Sequence, residues 1–119
     1  MGYKFYDTGT VALAAGNNTL VTAPNPLSDG LGLREIFVRK LTAQRVGTND
    51  VTIIVKNGSG RELEQRWNLT AEMPALYLQF NDTEEIGVGG GEPLLINASN
   101  TGVNVRVEYR TGSAIAWPT

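Results

Sequence analysis

Polar and apolar side chains alternate along this chain from one end to the other, and the alternation has a period of two. In "VTIIVK" the residues Val51, Ile53 and Val55 share one face, and Thr52, Ile54 and Lys56 share the other. In "LYLQF" a stripe of Leu76, Leu78 and Phe80 is opposed by Tyr77 and Gln79, and in "VNVRVEYR" Val103, Val105, Val107 and Tyr109 oppose Asn104, Arg106, Glu108 and Arg110. Successive side chains of a β-strand point to opposite faces, so this is the pattern of strands with one face on a core. Nowhere do apolar residues recur at helical spacing over three turns. The segment "LREIFVRKLTAQRV" is long enough for a helix, but the β-branched and aromatic run Ile36-Phe37-Val38 favours a strand.

Strands are expected over 11–14, 19–22, 33–42, 51–56, 61–68, 75–80, 93–97 and 103–110, with 3–6 adding an edge. Between them lie "AAGNN", "APNPLSDGLG", "VGTND", "NGSG", "NDTEEIGVGGGE" and "ASNTG", each rich in residues that tolerate positive φ or bond their own backbone. Asn57-Gly58 is a strong hairpin signal, and "GEPLLINASNTGVNVRVEYR" reads as a second hairpin whose register closes the fold. About eight short strands, each with one apolar face, bury those faces by packing as two sheets. The expectation is an all-β chain: one single-domain antiparallel β-sandwich of jelly-roll or Greek-key type over residues 1–119, with a short N-terminal arm at 1–8 and a C-terminal tail at 111–119. No internal repeat or linker interrupts it.

At 119 residues the chain is long enough to bury a stable core without staples. It has neither cysteine nor histidine. Disulfides, thiolate chemistry, the commonest general base and the commonest transition-metal ligand are thereby excluded. With 10 basic and 12 acidic residues the net charge is −2, and the basic residues are scattered, so nucleic acid is not an expected partner. The start "MGYKFYDTGTVALAAGNN" lacks the basic and apolar regions of an export signal, and no apolar run reaches 18 residues, so neither cleaved export nor a membrane partner is expected.

Several motifs invite a chemical reading and lose it on context. "GVGGGEP" looks like a phosphate loop but leads into a strand rather than a helix N-terminus, and reads as a flexible turn. "NDTEE" has hard oxygen ligands without calcium-loop spacing and reads as a solvated turn. Glu62 and Glu64 stand too close in sequence to flank a glycoside and read as the wet face of a strand. N-x-S/T triplets at Asn17, Asn57, Asn68, Asn81 and Asn97 read as turn composition. Trp67 and Tyr77 suit a sugar-stacking platform, although large aromatics more often fill or border a core. No catalytic, cofactor-binding or metal-binding residue emerges, and no cofactor is expected.

The succession "AAGNNTLVTAP", a long strand, "VTIIVKNGSG", a Trp-containing strand, "LYLQF" and "GEPLLINASNTGVNVRVEYRTG" resembles the small all-β virion proteins of tailed bacteriophages, related in architecture to capsid decoration (cement) proteins. The resemblance spans about residues 8–112. Its most diagnostic piece is Gly91, Glu92, Leu94, Ile96 and Asn97, followed by the alternating strand that ends in Tyr109. The segment 24–32 is longer than the pattern expects, and the tail with Ile115 and Trp117 extends past it. The resemblance implies a non-enzymatic structural protein, made in the host cytoplasm, that binds the outside of a capsid as a homo-oligomer, a trimer being favoured. The major capsid protein is its implied partner. Tyr3, Phe5 and Tyr6 at one end and Ile115 and Trp117 at the other are the candidate interface, because such side chains serve well as anchors. A glycan- or receptor-binding adhesion module of a phage head or tail fibre would use the same sandwich.

Overall fold

A computed structural model describes residues 4–26, 32–81 and 84–113. Ten strands follow in order: β1 (Tyr6–Asp7), β2 (Val11–Ala12), β3 (Gly16–Val21), β4 (Arg34–Arg45), β5 (Val51–Asn57), β6 (Trp67–Leu69), β7 (Ala75–Gln79), β8 (Ile86–Gly90), β9 (Leu94–Ala98) and β10 (Val103–Ser113). They form two antiparallel sheets. The larger has the order β1-β10-β4-β7, with β2 also on β10 and β8 also on β4, and the smaller has the order β3-β9-β5-β6. The chain is an antiparallel β-sandwich.

The expected count of strands emerges once interruptions are recognised. Tyr6 pairs with Tyr109 and Val11 with Val105, so β1 and β2 run along β10 as one interrupted strand. In the same way β7 and β8 follow each other along β4, Leu78 opposite Leu41 and Ile86 opposite Val38. Counted so, there are eight strands. First pairs with last, second with next to last, and so on inward, with alternate pairs in opposite sheets. That nesting is the strand order of a jelly roll.

Apolar stripes from both sheets meet in one core that includes Ile36, Val38, Leu41, Ile53, Leu69, Leu94, Ile96 and Val107. In β4 the buried positions are Ile36 and Val38 and then Leu41 and Ala43, so the parity changes within the strand. A bulge makes this possible: Glu108 pairs with Lys40 and Tyr109 with Val38, which leaves Arg39 as an extra residue. Without it either the first or the second half of β4 would turn its apolar side to solvent.

Three sequence expectations are corrected. The stretch "GEPLLINASNTGVNVRVEYR" is no hairpin: β9 lies in the smaller sheet between β3 and β5, whereas β10 lies in the larger one beside β4. Ser99 still bonds to Thr52, and the Gly102 carbonyl already accepts from Val46, so residues 100 and 101 cross between the sheets as an arch. Residues 61–68 do not form one strand. After the single bridge Lys56↔Glu62 the chain leaves the sheet until Trp67, with exposed Glu62 and Arg66 paired four residues apart. Finally, residues 87–90 of the expected turn belong to β8, and only Gly91 at its end turns the chain.

Candidate functional site

The glycines of β8 make room for an internal anion. A Cβ on Gly87 would lie 2.5 Å from Glu35 Oε2, and Gly89, at φ +112°, donates its amide to that same oxygen at 3.0 Å. The loop that resembles a phosphate cradle thus holds a carboxylate of its own chain. Beside it Arg110 donates from Nε and Nη2 to Glu85 at 2.9 and 2.7 Å, and its guanidinium lies 4.3 Å from the centre of the Phe37 ring. The Arg110 and Glu85 side chains are only 14% and 4% exposed. Glu85 was expected in a solvated turn and Arg110 on a wet sheet face, and the structure corrects both. Phe37 and Arg110 face each other in register across β4 and β10, and Glu85 precedes β8 on the adjoining edge.

On the other side of the same Val88–Gly89 peptide the "NGSG" turn is locked by buried Asn57. Its Oδ1 accepts from the Ser59 and Arg61 amides at 3.0 and 3.1 Å, while its Nδ2 donates across the sandwich to the Val88 carbonyl at 3.0 Å. Glu92 accepts from the Ser59 amide at 2.9 Å. The residues that carry the phage-protein resemblance are therefore structural: Glu92 holds a turn, Leu94 and Ile96 are core, and Asn97 Nδ2 donates to Asn17 Oδ1 at 2.8 Å. Asn17, Asn68 and Asn97 lie in strands, which corrects their reading as turn residues, whereas Asn57 ends β5 and holds the turn that follows.

Of the expected interface residues, Tyr3, Ile115 and Trp117 lie outside the described residues, while Phe5 and Tyr6 are placed. They are 39% and 40% exposed. Each has its own partner. The Tyr6 ring stacks on Tyr109 with centroids 5.5 Å apart, and the Arg39 guanidinium sits 4.6 Å from the centre of the Phe5 ring. Burial raises the Tyr109 hydroxyl pKa above its ordinary value, and the neighbouring Tyr6 adds to the effect. Because β1 runs antiparallel to β10, these aromatics stand at the end of the larger sheet where β10 also finishes. A cleft of about 290 Å³ opens there, bordered by Tyr6, Tyr109, Arg34 and the 21–25 segment. Arg34 Nε is buried in this region without a partner.

Trp67 and Tyr77 belong to different sheets and make no joint platform. Trp67 is half-buried against the core. Tyr77 is 61% exposed, because the inward positions of β7 belong to Leu76 and Leu78. Sequence reasoning named this ring but missed its surroundings. In register across the outer face of the larger sheet, Tyr77 stands opposite Thr42, and Thr42 opposite Arg106. A trough of about 450 Å³ lies along this row and adjoins another of about 300 Å³ that also touches Asp7, Lys40 and Glu108. Arg106 Nε donates to Asp7 at 2.8 Å, and that pairing holds the Asp7 carboxyl below its ordinary pKa. Among the described residues no group of three or more acidic side chains could hold a metal ion.

No family model matches the chain, and no curated protein does. Among solved structures it is similar to the virus-like particle of the extra small virus of the giant freshwater prawn Macrobrachium rosenbergii, with 12% identity and a TM-score of 0.46 over 92% of this chain and 76% of that one. At that level the likeness carries no assignment of fold or function.

Proposed function

We propose that this chain is a non-enzymatic structural protein of a virus particle, of the decoration type its turn-and-strand pattern resembles, and that it binds the outside of the capsid as a homotrimer. The supporting observation is the aromatic end of the larger sheet. Phe5 and Tyr6 are substantially exposed, yet each is already ordered by a partner, Arg39 and Tyr109. Aromatic side chains fixed before contact lose little freedom on binding, which is what makes good interface anchors. The last strand finishes at the same end, so Ile115 and Trp117 follow it within a few residues and complete the anchor with Tyr3. Jelly rolls serve in many capsid and lectin domains, so the fold is compatible with the role without dictating it.

Co-sedimentation of the purified protein with capsids of the virus that encodes it tests this reading. Wild-type protein is expected to pellet with the shells in a multiple of three copies per site, and the double variant Phe5→Ala/Tyr6→Ala to lose at least tenfold in affinity while remaining folded. Failure of the wild type to pellet, or undiminished pelleting of the double variant, overturns it.

A further inference from the structure

The trough on the outer face of the larger sheet is a second site, which borders the aromatic end at Asp7 and Lys40 without including Phe5 or Tyr6 and is independent of the capsid reading. We propose that it binds a neutral oligosaccharide. Its dimensions follow from register. Tyr77 on β7 and Arg106 on β10 are separated by β4, so the two side chains rise from backbones roughly 10 Å apart, two strand spacings. Between them stands only Thr42. Tall walls over a small floor make an open slot for a flat ring, and the combined hollows fall in the size range of small-ligand sites, from about 300 Å³ upward.

The lining chooses the ligand. Tyr77 is oriented by its hydroxyl, which donates to Gln79 Oε1, two residues on along β7, at 3.1 Å. Its face is open, the surface on which the C–H side of a pyranose packs. One step along the slot Gln44 and Asn104 stand opposite each other in register, each with an amide that both donates and accepts, as sugar hydroxyls require. One step the other way lie Lys40 and Glu108, also paired in register. The charged groups around the slot are two bases, Lys40 and Arg106, and two acids, Asp7 and Glu108, and the Arg106 guanidinium is already engaged by Asp7. An anionic ligand would gain nothing from so balanced a set, whereas a neutral polyol finds both donors and acceptors in the lining.

A glycan array printed with neutral, sialylated and sulfated oligosaccharides tests the proposal. The wild type is expected to retain a subset of neutral glycans. Tyr77→Ala, which removes the stacking wall, and Thr42→Trp, which fills the floor, should each weaken retention at least tenfold with an unchanged unfolding midpoint. Phe5→Ala/Tyr6→Ala should leave it unchanged, which separates this site from the docking end. The proposal is overturned if no neutral glycan is retained, if only acidic glycans are, or if both trough variants bind like the wild type. Retention of extended peptides in place of sugars also overturns it and reassigns the trough to a protein strand.

Discussion

At the scale of single residues, the polar side chains that matter are those whose every bond is closed. Asn57 uses its carbonyl for two turn amides and its amide for the opposite sheet, so it satisfies both sheets with one buried group. Its strength as a turn signal was legible in Asn57-Gly58, but its reach to Val88 was not, because no sequence pattern encodes which carbonyl lies across the core. Asp7 shows a different dependence. Bonds from Arg106 and then from the Gly9 amide lower its pKa, so the folded chain binds that proton more weakly than the unfolded one does. Such a carboxylate supports the fold at pH values above the ordinary range, around 4, and the support is lost as pH falls through the lower, folded value. In a titration followed by NMR, Asp7 should show a midpoint below that of the same carboxyl in Arg106→Gln. Equal midpoints would remove the pair as the cause.

At the scale of elements, β8 carries the largest disagreement between sequence and structure. Four glycines and a glutamate look like a turn because nothing in "GVGGGEP" alternates strongly, yet Val88 is core, and Glu35 of β4 packs on Gly87 and accepts from the Gly89 amide. The strand is paired to β4, and the buried pair Glu85–Arg110 lies beside its start. Removing one member of such a pair leaves an unpaired buried charge and typically costs about 3–5 kcal/mol, far more than an exposed bridge such as Glu62–Arg66 contributes. Arg110→Met should therefore destabilise the protein by about 3 kcal/mol in urea unfolding. Glu85→Gln/Arg110→Met should recover part of that loss, because the second change removes the orphaned charge. A double variant as unstable as the sum of the singles would show that the two do not interact. Strand existence was otherwise well marked, since alternation placed β4, β5, β7, β9 and β10 within a few residues. Alternation is silent on pairing, however. The stripes Leu94/Ile96 and Val103/Val105/Val107 look the same whether they share a sheet or face each other across the core, which is why β9 and β10 read as a hairpin and form an arch.

At the scale of the whole molecule, the nesting of first strand with last gives β10 a special position. It lies in the middle of the larger sheet with β4 on one side and β1 and β2 on the other, and it supplies Val103, Val105 and Val107 to the core. The larger sheet cannot close until this strand is present, and its contacts join residues roughly 60 to 100 positions apart, the kind of pairing that folds in milliseconds to seconds rather than faster. The expected anchor residues Ile115 and Trp117 follow the same strand, so two truncations separate folding from docking. A chain ending at residue 102 loses the three core valines and the partner of β1, β2 and β4. It should show no cooperative unfolding transition and no dispersed amide spectrum. A chain ending at Ser113 keeps every described strand, and its urea midpoint should match that of the full chain while its retention on capsids drops several-fold. If the shorter cut instead lowers the midpoint, the tail belongs to the core and its proposed role as an anchor fails. If midpoint and capsid retention are both unchanged, the docking end consists of Tyr3, Phe5 and Tyr6 without the tail.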